Sequence, residues 1–247
     1  MSAQGRVSIV VPVLNEADRI GATLARLRRD FPECELLVVD GGSTDGTPDL
    51  ARPLAEVITA APGRGGQLNR GAERAGGDVL WFHHVDTVAD PGALAQLHAA
   101  LEDPGVVGGG LTLRFDRSST ALHYLTWTSN QRARRLGWVF GDQAMFVRRT
   151  TFEVVGGFPD LPLMEDLEMS RRLRRLGRLV LLAATSTASS RRFEAHGTWS
   201  MVLFMQYLKA LYFAGVDPHE LYRRYLVGPS AMFPTLCPVR SARKDLA

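Results

Sequence analysis

Apolar residues in the first third of the chain come in short continuous runs, and each run stops at acids. Val7-Ser-Ile-Val-Val-Pro-Val-Leu leads into Asn15-Glu16. Leu36-Leu-Val-Val39 leads into Asp40-Gly-Gly-Ser43-Thr-Asp45-Gly, and Val79-Leu-Trp-Phe82 passes through His83-His84-Val to Asp86. Unbroken apolar runs of this length read as buried strands. Between them, Ile20, Leu24, Leu27 and Phe31 recur at helical spacing, which predicts a helix over residues 16–31. Residues 47–54 predict a helix with Pro48 at its start, 57–59 a short strand, Gly63-Arg64-Gly-Gly-Gln67 a flexible loop, and 68–74 a helix. Strands alternating with helices imply an α/β fold, an open and mostly parallel sheet joined by right-handed crossovers. Ligands of such sheets bind beyond the carboxyl ends of the strands. The three acid-terminated runs are therefore expected to converge on one site that binds a nucleotide and a divalent metal.

The rest of the chain is less regular. Helices are predicted over 91–101, 120–135, 164–176, 199–213 and 221–226, with extended segments over 108–115, 143–147 and 179–182. From Gly228 the Pro-rich and then charged sequence reads as a flexible tail, residues 228–247. Residues 199–213 carry apolar side chains around most of the helix, so both sides need cover. The next helix or a second subunit would supply it in a homodimer. Insertion at a membrane surface, with Arg223 and Arg224 meeting anionic headgroups and a lipid as substrate, is the less favoured reading because Lys209 is the helix's single charge.

Composition narrows the picture. A chain of 247 residues with 45% hydrophobic and 22% charged residues suits one soluble globular α/β domain. All but two of the 29 basic residues are arginine. Arg171-Arg172-Leu-Arg174-Arg175 and Arg191-Arg192 suit phosphate oxygens, and most of the others read as solvated helix faces. Net charge of +3 without an aromatic-interleaved basic stripe argues against nucleic acid. Cys34 and Cys237 form no metal-type pair. With no export leader and no apolar stretch of roughly 18–20 residues, a cytoplasmic protein is expected.

Five motifs in order, Pro12-Val-Leu-Asn-Glu16, Asp40-Gly-Gly-Ser-Thr-Asp45, the strand ending at Asp86, Gly156-Gly-Phe and Glu165-Asp166, make residues 7–193 resemble the family-2 glycosyltransferases of GT-A fold. Gly141-Asp142-Gln143, Leu163-Met-Glu-Asp166 and Ser190-Arg-Arg-Phe193 further resemble short bacterial transferases associated with selenium or arsenosugar gene clusters. The resemblance implies a GT-A-like domain over 1–198, a helical extension over 199–227, and inverting transfer of a sugar from a nucleotide-sugar donor, a UDP sugar by preference, assisted by Mn²⁺ or Mg²⁺. The acceptor, small molecule or lipid, is not identified.

Residue by residue, the resemblance assigns Asp40 to the base, Glu16 to ribose or base, and Pro12 to the wall of the nucleoside pocket. Asp86 matches the last acid of the family's Asp-x-Asp metal motif, but His84 stands where the first acid would be. Imidazole can ligate Mn²⁺, although hard ions prefer oxygen. Strand alternation puts His84 on the same face as Asp86, with packing as its other reading. Asp166 matches the catalytic base and Glu165 its orienting or helix-capping neighbour. Arg191 and Arg192 would neutralise the leaving diphosphate, with Arg64 contributing from the other side. Asp142 and Gln143 either face sugar or acceptor or form an ordinary turn. Two other classes stay open: a sugar-nucleotide nucleotidyltransferase, which should carry a Gly-rich first loop that this chain lacks, and a noncatalytic nucleotide-binding protein.

Overall fold

The computed structural model describes residues 5–232, apart from the side chains of residues 192 and 195. The chain divides into two compact units, Met1–Ser190 and the remainder from Arg191. The second unit opens with a helix over residues 191–196 that packs with the helix after it.

In the first unit the chain forms β1 (Val7–Val13), α1 (Ala17–Asp30), β2 (Glu35–Asp40), α2 (Thr47–Ala51), β3 (Glu56–Thr59), α3 (Arg64–Arg74), β4 (Val79–Phe82), β5 (Thr87–Ala89) and α4 (Ala93–Leu101). There follow β6 (Val106–Phe115), α5 (Thr120–Leu136), a 3₁₀ turn (Gly141–Gln143), β7 (Phe146–Arg148), α6 (Arg149–Val154), α7 (Glu165–Leu173) and β8 (Arg178–Ala188). The strands make one sheet in the order β3-β2-β1-β4-β7-β6-β8-β5. β3, β2, β1 and β4 are parallel, as the alternation predicts, and β6 runs parallel to β8. β7 is antiparallel to both of its neighbours, and β5 is antiparallel to β8.

Both faces of the sheet are covered, which is why its strands read as unbroken apolar runs. In β1, Ile9, Val11 and Val13 pack with Ile20, Leu24 and Leu27 of α1. Val10 points the other way, into a cluster with Leu37, Val39 and α3's Leu68 and Ala72. Trp81 of β4 is fully buried against Phe31, with ring centroids 4.9 Å apart, and its indole N–H donates to Ala144 O at 3.1 Å.

The glycine-rich segment expected as a loop is the first turn of α3. Its glycines serve close packing: a Cβ on Gly65 would stand 2.9 Å from Pro159 O, and one on Gly71 would collide with Val10. Gly108 and Gly109 in β6 likewise leave no room for a Cβ against β7 and β8. Two arginines at the β7–α6 junction act as struts. Arg148 donates to Val106 O and Leu101 O, and Arg149 to Gly77 O, Ala72 O and Ala75 O, closing backbone acceptors at helix and strand ends.

The second unit holds α8 (Arg191–His196), α9 (Thr198–Phe213), α10 (Pro218–Val227) and a 3₁₀ turn (Pro229–Met232). α10 packs on α9, and Arg224 donates to the Tyr207 hydroxyl at 2.7 Å. Met201, Val202, Phe204 and Leu208 of α9 are buried, while Trp199, Leu203 and Phe213 stay about half exposed. The start of the expected tail is thus ordered as the second 3₁₀ turn; the rest of it, with Cys237, lies outside the described residues. No described helix is long and apolar enough to cross a membrane.

Candidate functional site

The turns that follow β1 and β2 are laced together by side chains. Asn15, in the left-handed region at φ 54°, donates its N–H to Ser43 Oγ at 2.8 Å and accepts from Thr44 N at 2.9 Å. The N–H of Glu16 donates to Thr47 Oγ1 at 2.8 Å, and that of Ala17 to Asp45 Oδ2 at 3.0 Å. Asp45 also accepts from Thr47 N at 3.0 Å, so it opens α2 and α1 together. Beneath them the buried Gln67 donates to Val13 O at 2.9 Å and Val39 O at 2.8 Å, tying α3 to the last turns of β1 and β2.

These strand ends wall a cavity of about 230 Å³ lined by Pro12, Glu16, Arg64, Gln67, His84 and Asp86, among others. Three of the four expected nucleotide-binding residues therefore meet there. The fourth, Asp40, is not among the lining residues. It is 4% exposed, and its carboxylate accepts from Gly42 N and Ser43 N, each at 3.1 Å, shaping the turn after β2. Glu16 pairs with Arg19 at 3.1 Å, yet burial raises its carboxyl above the ordinary value; Arg19 opposes the shift and Asp86 adds to it.

His84 lines the cavity beside Asp86, whereas His83 turns into the protein at 1% exposure. His83 Nδ1 lies 2.8 Å from His84 O, and its Nε2 is buried without a hydrogen-bond partner. Burial pushes the His83 imidazole down to about 4. That of His84 is pushed down to about 3, by burial and then by the Arg64 guanidinium. Both rings are therefore neutral at neutral pH. His84 sits against Gly141, where a Cβ would be 2.5 Å from its Cε1 and Nε2.

No group of three or more His, Cys, Asp or Glu among the described residues is arranged to hold a metal. A hard divalent ion that keeps its waters and draws ligands from substrate phosphates needs only one or two protein groups. The exposed carboxylate of Asp86 next to a neutral imidazole meets that smaller demand.

Glu165 and Asp166 open α7 just after Met164, a non-glycine residue at φ 69°. Arg64 grips Glu165 Oε1 and stands 3.6 Å from Asp166 Oδ2, so the two acids expected for chemistry reach the cavity wall through it. Asp166 Oδ2 also accepts from Gly141 N at 3.0 Å. Ser170, one turn along α7, exchanges bonds with Val139 N at 3.0 Å and Val139 O at 2.8 Å, fixing the 139–143 loop to this helix. Glu165 is 2% exposed and its Oε2 has no partner; burial raises its carboxyl, Arg64 opposes the shift, and Asp166 reinforces it.

Asp142 and Gln143, paired in the sequence, separate in the structure. Burial pushes the Asp142 carboxyl up to about 6 despite Arg132, and its Oδ1 is buried without a partner. Gln143 is fully buried: its Oε1 accepts from Arg132 at 3.1 Å and Phe140 N at 3.3 Å, and its amide donates to Asn130 at 3.4 Å. That corrects its expected role against sugar or acceptor, since no face of it is left for a ligand. Arg132 was not expected at all. Its guanidinium stacks 3.5 Å from the centroid of Phe140, where Asp142 and Asp166 offset part of its burial. Arg191 and Arg192 open α8 in the second unit.

The family "Glycosyl transferase family 2" matches residues 8–155, more than half of the chain. Among curated relatives, the chain is 31% identical over 170 residues to "Glycosyltransferase AglE" of Haloferax volcanii, covering 62% of this chain and 56% of that one. It is 27% identical over 249 residues to "Succinoglycan biosynthesis protein ExoA" of Rhizobium meliloti, covering 92% and 73%. The chain spans about half the length of the first relatives it matches, 56% and 47% of two of them. Among solved structures it resembles a mannosyltransferase of Pyrobaculum calidifontis in complex with GDP-Man and Mn²⁺, at TM-score 0.66 and 20% identity, covering 87% of this chain and 66% of that one. It also resembles Staphylococcus aureus TarS in complex with UDP-GlcNAc, at TM-score 0.60 and 18% identity, covering 74% and 58%. The sheet order, the acid-ended parallel strands and these matches agree with the GT-A architecture expected from the motifs, and the chain belongs to glycosyl transferase family 2.

Proposed function

We propose that this chain transfers a sugar from a nucleotide-sugar donor, a UDP sugar by preference, to an acceptor with inversion at the anomeric carbon. The observation that carries the reading is the cavity at the ends of β1 and β4, where Glu16, Arg64 and Asp86 meet and Arg64 connects to Asp166. Pro12 and Glu16 would border the nucleoside. Asp40 would hold the turn beside it and offer an oxygen to the base, since a carboxylate has acceptor sites beyond those met by the Gly42 and Ser43 N–H groups. Arg64 would meet the diphosphate, as a guanidinium fork suits two anionic oxygens, with Arg191 and Arg192 assisting.

A divalent ion, Mn²⁺ or Mg²⁺, would be held by Asp86 with His84 beside it, and when bound it supplies positive charge to the departing diphosphate. Asp166 would accept the acceptor's proton as the nucleophile attacks opposite the leaving group. It stands in the first turn of α7, with Oδ2 held by the Gly141 N–H. Asp142 would face the sugar or the acceptor. The solved neighbours hold GDP-Man or UDP-GlcNAc, and one holds Mn²⁺, which supports a nucleotide sugar and a metal as the ligand classes. The acceptor, a cytoplasmic location, pairing of two subunits through α9, and the narrower kinship with selenium or arsenosugar clusters belong to this proposal on sequence grounds.

The experiment is turnover of a panel of UDP and GDP sugars with and without Mn²⁺. Metal-stimulated release of nucleoside diphosphate is expected. Pyrophosphate release from a nucleoside triphosphate and a sugar phosphate would replace this reading with the nucleotidyltransferase one, and binding without turnover of any donor would favour a noncatalytic protein.

A further inference from the structure

Arg64 serves two sets of negative charge from one position. Its guanidinium grips Glu165 Oε1 and stands 3.6 Å from Asp166 Oδ2, while the same side chain, 41% exposed, lines the cavity with Glu16, His84 and Asp86. Glu165 is nearly enclosed, and its second oxygen has no partner. The charged groups that bear on it are Arg64 and Asp166, of which only Arg64 favours the ionised form. A buried carboxylate that loses its guanidinium is expensive to keep charged and takes a proton instead.

We propose that Arg64 exchanges partners on donor binding: it leaves Glu165 and Asp166 for the donor's diphosphate, and Glu165 then takes one proton from solvent. The inference rests on the donor reading above. A diphosphate competes well for the guanidinium because it offers more charge, and each phosphoryl group presents pairs of oxygens that the guanidinium fork can meet. Arg64 and Glu165 are thus positioning residues that couple donor binding to a change of charge beside Asp166.

The test is titration of UDP into the full-length protein with Mg²⁺ present, by calorimetry near neutral pH in two buffers of different ionisation enthalpy. Wild type is expected to take up more protons than Glu165→Gln, by a difference approaching about one proton per UDP bound. Gln keeps the shape of the neutral acid and has nothing to titrate. Equal proton counts with UDP bound to both proteins would overturn the exchange and leave the donor reading intact. Failure of wild type to bind any nucleoside diphosphate would remove the donor reading and the exchange with it.

A ligand-free measurement covers the case in which Glu165→Gln fails to fold. Arg64→Gln should lose thermal stability relative to wild type, and the deficit should grow from about pH 5 to about pH 8, as the stranded Glu165 is forced to ionise. Adding Glu165→Gln should remove that pH dependence. A deficit of Arg64→Gln that stays constant from about pH 5 to about pH 8 would overturn the clamp itself, with or without the double variant.

Discussion

The Cε1–Nε2 edge of His84 lies against Gly141, so closely that a Cβ at position 141 would stand 2.5 Å from both ring atoms. Gly141→Ala should therefore displace the imidazole or the 3₁₀ turn, at a cost of about 1–3 kcal/mol. The same variant should weaken metal-dependent UDP binding. Adding His84→Ala should restore stability without restoring the metal effect. Denaturant melts of the two variants check the first part, and an unshifted midpoint for Gly141→Ala would show that the contact is slack.

Asp86→Ala should abolish the gain in UDP affinity that Mn²⁺ gives, because the exposed carboxylate beside His84 is removed. Calorimetry with and without Mn²⁺ measures it. If the variant binds UDP in Mn²⁺ as wild type does, Asp86 is not the metal's ligand.

Asp40→Ala should have two effects. Gly42 N and Ser43 N lose a buried acceptor, which should lower stability by about 1–3 kcal/mol. Uridine binding without metal should weaken as well. Asp40→Asn, which keeps one acceptor oxygen, should recover part of the stability but not the binding. Uridine affinity equal to wild type in a folded Asp40→Asn would confine this residue to its turn.

Asp166→Asn should keep UDP affinity and lose about two orders of magnitude or more in transfer, the scale of a general base. An amide cannot take the proton. Near-normal turnover would point to an acceptor already ionised at neutral pH, such as a thiol, selenol or phosphate.

Asp142 gives a prediction in pH. Its folded value of about 6 lies above the ordinary carboxylate value, so its contribution to stability is greatest when both states are protonated and is lost as pH rises through about 6. Between about pH 4 and pH 7 the stability of Asp142→Asn should accordingly improve relative to wild type, by on the order of 1–3 kcal/mol. Thermal melts across that range decide it. A constant difference between the two proteins would mean that Asp142 titrates normally.

What the sequence made legible follows from how local each signal is. β1, β2 and β4 were readable because both of their faces are buried, and an unbroken apolar run needs no partner to be recognised. Asp86, Glu16 and Asp166 were placed because each stands at an element's end within a motif. β5 was not read, since three residues just after Asp86 carry no period to detect. α3 was read four residues short because its glycines, which suggest a loop, meet neighbouring backbone and side chains. β8 runs on to Ala188 through Ala, Thr and Ser, a stretch with little strand character until β5 and β6 pair with it. The network of Asn130, Arg132, Phe140 and Gln143 is illegible for a different reason: its members come from the end of α5 and the turn just after it, and no periodicity shows that the loop between them folds the guanidinium back onto the ring.

The reversed strand β7 has a consequence for when the site comes into being. β4 delivers Asp86 as the chain leaves the sheet, but the turn carrying Gly141 and Asp142 is delivered as the chain enters it, at the same edge. A nascent chain that has made β1 to β4 already carries every residue that lines the cavity, from Pro12 to Asp86. What it lacks is the buttress: Gly141, which abuts His84 and donates to Asp166, comes into place only when β7 slots between β4 and β6. The pocket's lining is thus encoded ahead of the segment that steadies its imidazole.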